Sequence, residues 1–159
     1  MKKNSPKTAL TVNKKAGFNY EIIEKYEAGI KLTGSEVKAA KQGLIRLNGS
    51  YASLEYNKAN KPIIVLKNCK ISKYQKAGYG QDQYNPLRDR ELLLNKREIV
   101  SLVGKMNSTG LTLVPFSVYT MRRLIKVELA LVKGKSKIDK REKIKNRDID
   151  RRLKQRLDY

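Results

Sequence analysis

Cations and aromatic rings are the chemistry this chain carries most of. Of its 159 residues, 36 are Lys or Arg, nine are Tyr and two are Phe, and Phe18, Tyr20, Tyr74, Tyr79 and Tyr84 stand among lysines. A cation attracts phosphate whatever the base sequence, and an aromatic face stacks on an unpaired base. Only 15 Asp or Glu oppose the cations, leaving a net charge of +21. Self-repulsion on that scale does nothing to stabilise so small a domain. The charge therefore points to a polyanionic partner, nucleic acid first and an anionic membrane surface second. Taken singly, each ring is more readily core or loop filler than a stacking platform.

The missing residue types exclude much else. There is no His and a single Cys69, so Ser-His-Asp and Cys-His catalysis, a disulfide framework and a multi-cysteine zinc site are out. Carboxylate or lysine catalysis stays open, but no grouping singles out such a site, and neither enzyme activity nor a cofactor or metal is expected. No RNP, KH or P-loop pattern is present. No apolar run approaches the roughly 20 residues that span a bilayer. Met1 to Leu10 is basic and lacks an apolar signal region. A cytoplasmic protein is expected.

The elements that must position these groups follow from periodicity and turn signals. Residues 1–12 read as a flexible basic leader, with structure beginning near Tyr20 in a strand that includes Ile22 and Tyr26. Thr33-Gly34-Ser35-Glu36 fits a capping box opening a helix of about two to three turns, and Gly43 stops it. Ser50 to Tyr56 and Ile63 to Ile71 read as strands joined by the loop Asn57 to Pro62. Ser72 to Gln83 lacks periodicity and reads as a mobile loop. Asn85-Pro86 is expected to open the strongest helix, with Leu92, Ile99, Val103 and Met106 on one face and Asn107 to Gly110 at its end. Leu111 to Tyr119 and Lys126 to Val132 read as a closing antiparallel pair, Pro115 implying an edge or a bulge. The expected class is α+β, mostly β: an OB-like antiparallel β-barrel with flanking helices over residues 13–132.

Composition shifts at Lys133. Residues 133–159 hold 12 Lys or Arg and 5 Asp or Glu, too few apolar groups for a core of their own. Ile149, Leu153 and Leu157 fall at i, i+4, i+8, one stripe on an otherwise basic helix. The expectation is a tail disordered until bound, folding as a helix on its partner. At this level a structural ribosomal protein, an RNA-processing enzyme and a basic membrane-surface helix all remain open.

Three stretches narrow the choice. Asn13-Lys14-Lys15-Ala16, Tyr20 and the run Tyr26-Glu27-Ala28-Gly29-Ile30-Lys31-Leu32-Thr33-Gly34-Ser35-Glu36-Val37-Lys38 form one. Asn85-Pro86-Leu87-Arg88-Asp89-Arg90-Glu91-Leu92-Leu93-Leu94-Asn95-Lys96-Arg97-Glu98-Ile99 is the second. Gly134-Lys135-Ser136-Lys137-Ile138-Asp139-Lys140-Arg141 is the third. In content and spacing these resemble the small protein B family of tmRNA-binding proteins, over about residues 10 to 159. The resemblance implies a non-enzymatic, monomeric adaptor. It binds the tRNA-like domain of tmRNA, takes the place of the anticodon arm, and meets elongation factor Tu only indirectly, through tmRNA. Its tail enters the empty mRNA channel near the 16S rRNA decoding region and becomes helical on the ribosome. Glu27, Leu93 and Asn95 match RNA-contacting positions. Lys14, Lys15, Lys38 and Lys126 match phosphate-contacting ones, with Phe18 and Tyr20 beside them. Lys133, Gly134 and Lys135 match a hinge. Asp139, Lys140 and Arg141 match the ribosome-contacting tail, with Arg147, Arg151 and Arg152 beyond. Gly17-Phe18 and Ile138 depart from the family, which often carries Arg-His and His there. Gly49-Ser50-Tyr51 stands where Asp-Ser-Tyr is usual.

Overall fold

Chain reversals are written locally. Asn57 accepts the backbone N–H groups of Ala59 and Lys61 through its side-chain oxygen, Asn60 takes a positive φ of 54°, and the strands on either side are folded together. The computed structural model describes residues 7–157 except 77, 79–82 and 109. In chain order the elements are β1 (Lys7–Val12), α1 (Lys14–Asn19), β2 (Tyr20–Ile30), α2 (Gly34–Lys41), β3 (Ile45–Arg46), β4 (Tyr51–Tyr56), β5 (Pro62–Lys67), β6 (Lys70–Ile71), β7 (Arg90–Leu93), α3 (Lys96–Met106), β8 (Leu111–Met121), β9 (Leu124–Gly134) and α4 (Lys137–Leu157).

A large antiparallel sheet dominates, in the order β1-β8-β4-β5-β7-β2-β9, and β8 pairs with β9 as well. The pairings therefore run from β8 through β4, β5, β7, β2 and β9 back to β8, with β1 alongside. β8 serves three partners because its stretches are used differently: Leu113 meets β4, Ser117 to Met121 meet β1, and the whole strand meets β9. The β8–β9 register shifts between Pro115 and Ser117, the bulge that proline demands. Alternation sends Tyr26, Ala28, Ile64, Leu66, Leu92, Leu113, Val127 and Leu129 into one core, closed by Ala39 and Ala40 of α2 and Leu102 of α3. On the other face, Ala16 of α1 covers Val114, Ala130 and Val132. Among the described residues no helix is long and apolar enough to cross a membrane.

Several expectations are corrected. Lys7–Val12 is not a free leader. It pairs with the exposed edge of β8, and Asn13 N–H continues the contact to the Phe116 carbonyl at 2.7 Å. Structure therefore begins before Tyr20. Ile63 to Ile71 splits at Asn68, whose positive φ of 55° turns β6 away to pair with β3. Asn85-Pro86 opens no helix. The Asn85 side chain accepts the Leu87 N–H at 3.0 Å in a tight turn, Leu92 belongs to β7, and the helix starts ten residues later at Asn95. There the Glu98 carboxylate accepts the Asn95 N–H at 2.9 Å. The tail, expected to be helical only on a partner, is the helix α4 here.

β7 wins over helix because of a buried ion pair. Glu36 and Arg90 both have fully buried side chains. The Arg90 guanidinium donates to Glu36 Oε1 from Nε at 3.0 Å and from Nη2 at 2.8 Å, and to the carbonyls of Cys69 at 2.7 Å and Arg88 at 2.8 Å. Arg88 Nη2 takes Glu36 Oε2 at 2.6 Å, and the Thr33 N–H donates to the same oxygen at 2.9 Å. This one carboxylate completes the α2 capping box and fixes the start of β7. Burial alone would raise its pKa, but Arg88, the Thr33 N–H and Arg90 together hold it below the ordinary 4.5. Its stabilisation is therefore full above about pH 4.5 and lost as acid protonates it. Glu36→Gln leaves Arg90 buried without a counter-charge and should cost about 3–5 kcal/mol. Urea unfolding midpoints at pH 7 and pH 3 check this: the gap between wild type and variant should shrink at the lower pH.

Candidate nucleic-acid interface

Since Tyr26 and Ala28 face the core, Glu27 and Gly29 face outward. Register places Gly29 opposite Lys126 on β9, and Lys126 opposite Tyr119 on β8. The Glu27 carboxylate thus lies between three donors. Lys126 Nζ reaches Oε1 at 2.5 Å, Lys7 Nζ reaches Oε2 at 3.2 Å, and the Tyr119 hydroxyl donates to Oε2. Lys7 also stands 4.8 Å from the centre of the Tyr119 ring. Beside them, Glu128 accepts from Lys25 Nζ and from the Ser117 hydroxyl, each at 3.0 Å. Lys126, then Tyr119, then Lys7 stabilise the ionised form of Glu27 and draw its pKa down to about 2 against partial burial. Burial and the adjacent carboxylate push the Tyr119 hydroxyl up. At neutral pH Glu27 is an anion and Tyr119 keeps its proton. Oε2 is occupied twice and Oε1 once, so one lone pair on Oε1 remains for an incoming amino group. The lysines it holds present fixed ammonium groups.

Leu93 adds an apolar patch to the same face. It pairs with Gly29 across the β2–β7 ladder. A Cβ on Gly29 would lie 3.3 Å from the Leu93 Cβ, so only glycine leaves Leu93 this close approach. Leu92 fills the core, while Leu93 is 47% exposed. Asn95 follows as the N-cap of α3, at the rim of the patch and not within a helix as expected.

A second basic surface centres on α1. Asn13 is buried: its amide donates to the Leu47 carbonyl at 3.3 Å and the Pro115 carbonyl at 3.1 Å, and its oxygen accepts the Ala16 N–H at 3.2 Å. That anchor leaves Lys14 and Lys15 exposed. Tyr20 and Phe116 pack against the small core beneath. Phe18 lies under Arg147, 5.8 Å from ring centre to guanidinium. Lys133 and Gly134 end β9, and the Lys135 N–H donates to the Asn19 carbonyl at 3.1 Å. Ser136 and Asp139 then cap each other, backbone to side chain, at 3.2 Å both ways. Asp139 therefore starts α4, a structural duty beyond the contact role that the resemblance implies. Arg141, Arg147, Arg151 and Arg152 are exposed, while Lys140 is half-buried. Lys38 stands apart on α2, 5.7 Å from the Tyr74 ring. Tyr79 and the side chain of Leu157 lie outside the described residues.

Glu27, Lys126 and Leu93 thus share one face, with Asn95 at its rim. Lys14, Lys15, Phe18 and the tail form another. Sequence reasoning missed Lys7, Lys25, Tyr119 and Glu128. Counting outward from the two-residue turn Arg122-Arg123 pairs Tyr119 with Lys126, so that partner was within reach. Lys7 was not, because its strand exists only as an addition to β8.

Comparison with known proteins places these residues in context. The model of the SmpB protein family matches residues 10–159. An SsrA-binding protein of Trichodesmium erythraeum is 49% identical over 146 residues, covering 91% of this chain and 88% of its own length. One from Clostridium botulinum strain Hall is 42% identical across the whole of both chains. A solved structure described as "tmRNA-SmpB: a journey to the center of the bacterial ribosome" is similar with a TM-score of 0.61 and 38% identity, covering 84% of this chain and 86% of that one.

The cluster makes a titration prediction. Lys126→Met removes the largest influence on Glu27, so its carboxyl should titrate well above about 2, moving back toward 4.5. Carbon NMR of the carboxyl against pH measures it, and an unmoved midpoint would refute the assignment. With Glu27 37% exposed, the pair should add under about 1 kcal/mol of stability, present above pH 4.5 and fading toward pH 2.

Proposed function

The chain belongs to the SmpB family, and from that membership we propose that it binds the tRNA-like domain of tmRNA and delivers it to stalled ribosomes for trans-translation. The observation that carries the reading is the Glu27 face. A locked carboxylate with one open acceptor site, two fixed ammonium groups and an exposed Leu93 lie together. Phosphate attraction alone needs only cations. A shape that also reads a base amino group and an apolar surface suits folded RNA with splayed bases.

In this reading the protein body stands where an anticodon arm would, and Lys14, Lys15, Phe18 and Tyr20 extend the RNA contact around α1. Lys38 touches backbone phosphate from α2. Lys133, Gly134 and Lys135 act as the hinge from which α4 reaches the mRNA channel, with Lys140, Arg141, Arg147, Arg151 and Arg152 against 16S rRNA. The ring of strand pairings supports an OB-like barrel as the platform. Elongation factor Tu is met only through tmRNA, the adaptor works as a monomer in the cytoplasm, and peptidyl transfer is left to the ribosome.

The test is a competition gel shift between the tRNA-like domain and a control RNA of equal length at two salt concentrations. Preference for the tRNA-like domain should survive the higher salt. If both RNAs fall away together, only the phosphate attraction is present and the reading fails. Glu27→Ala should weaken the specific complex by roughly tenfold or more, as expected for losing a charged hydrogen-bond acceptor. Lys140→Ala with Arg141→Ala should leave that complex intact and abolish rescue in a reconstituted translation assay. Asp139 is best left alone in that variant, since losing its cap costs about 1 kcal/mol of helix stability.

A further inference from the structure

On the body, several cations meet carboxylates: Lys7 and Lys126 share Glu27, Lys25 pairs with Glu128, Lys31 with Glu91, Lys67 with Glu55 and Lys105 with Glu24. Where α4 meets α1 the matching stops. Lys143 Nζ donates to the Gly17 carbonyl at 3.1 Å, and the Arg147 guanidinium lies over Phe18. Lys14, Lys15, Phe18, Asn19, Ile144 and Arg147 line the groove between the two helices. Lys135 sits close enough to Lys143, with Arg147 beyond, to depress the Lys143 pKa. Three cations, Lys14, Lys15 and Arg147, therefore line the groove, and Lys143 and Lys135 stand together beside it. Among the described residues none of them forms an ion pair. On α4, Asp139 is engaged with Ser136, Glu142 pairs with none of the five, and Asp150 lines a separate hollow with Arg147, Arg151 and Lys154.

Like charges brought together in this way oppose the docking of two helices unless an anion lies between them. We propose that the groove between α1 and α4 is a phosphate-binding site, and that a phosphate seated there holds the tail helix against the body. Phe18 suits the task. A ring face attracts Arg147 without occupying its N–H donors, which stay available for a bidentate contact to phosphate oxygens. Lys14, Lys15 and Lys135 add point charges, and the Asn19 amide adds a neutral donor. The ligand chemistry is a phosphate monoanion or dianion, free or within an RNA backbone. Either would set the orientation of α4 by local charge, before and apart from any contact along the rest of the tail.

The experiment uses the full chain without tmRNA. Spin labels at Lys58→Cys and Lys145→Cys report the distance from body to tail, and Cys69, fully buried with its thiol pushed up to about 11, stays unlabelled. In sodium phosphate the distance distribution should narrow to one population. In sodium chloride of equal ionic strength it should stay broad. Lys143→Gln and Arg147→Gln should each require roughly tenfold more phosphate, the size of one lost charge-assisted contact, with the thermal midpoint of the body unchanged. A short oligoribonucleotide and its uncharged methylphosphonate counterpart separate the sources. Narrowing by the charged oligomer alone identifies backbone phosphate, and narrowing by inorganic phosphate alone identifies a free anion. Distributions that stay broad in both salts and with the charged oligomer, or a response untouched by both substitutions, would overturn the site.

Discussion

One carboxylate ties together parts of the chain that have no other reason to meet. Glu36 closes the cap of α2, receives Arg88 and Arg90, and through Arg90 reaches the Cys69 and Arg88 carbonyls. That fixes the first residue of β7, and β7 is the strand that joins β5 to β2. Without it the ring of pairings is open. Leu93 would not lie across Gly29, nor Asn95 at the rim of the Glu27 face. A buried ion pair is weak evidence of net stability, since apolar residues of similar volume often serve as well. Its role here is to specify one arrangement: a guanidinium bonded to Glu36 Oε1 and to the Cys69, Arg88 and Pro86 carbonyls accepts only one path for the chain around it.

The same network explains what the sequence could not reveal. The Thr33–Glu36 cap was legible because four consecutive residues encode it. The β8–β9 hairpin was legible because two long alternating stretches flank a short turn, and Pro115 announced its own bulge. β7 was not. Asn85-Pro86 offers a sound helix start, and a short run such as Leu92 to Leu94 fits either a strand or a helix. The deciding contact, Arg90 to Glu36, spans 54 residues and has no periodic signature. Lys7–Val12 fails for a related reason: six residues, three of them apolar, set no clear period, and the segment is a strand through its pairing with the edge of β8. For the interface, Glu27, Lys126 and Leu93 were identified through resemblance and not through pattern, since their meeting depends on β-ladder register across three strands.

Charge is divided into two kinds with different physical consequences. Lysines held by Glu27 and Glu128 have lost freedom before any ligand arrives, so their contacts constrain geometry more than they add attraction. Among the described residues, the cations where α1 and α4 meet, Lys14, Lys15, Lys143 and Arg147, form no ion pair. They supply the long-range, salt-sensitive attraction that brings a polyanion near. A net charge of +21 would make a poor recognition surface if spread evenly, because any phosphate would find any lysine. On the Glu27 side, Glu27 and Glu128 hold their lysines in place and give that side its shape.

The tail follows from the same division. Its helix start is local, set by the reciprocal Ser136–Asp139 cap. Asp148 precedes Arg152 by four residues, as Asp150 precedes Lys154, the favourable order on a helix at about 0.2–0.5 kcal/mol each. Contacts with the body are few, through Lys143, Arg147 and Ile144. Ile138, Ile149 and Leu153 remain exposed on the side of the helix turned away from Lys143 and Arg147. The chain leaves the ladder with β2 after Lys133 and Gly134, and nothing packs against the Gly134 position. The shape of the helix is thus set within its own sequence, beginning at the Ser136–Asp139 cap.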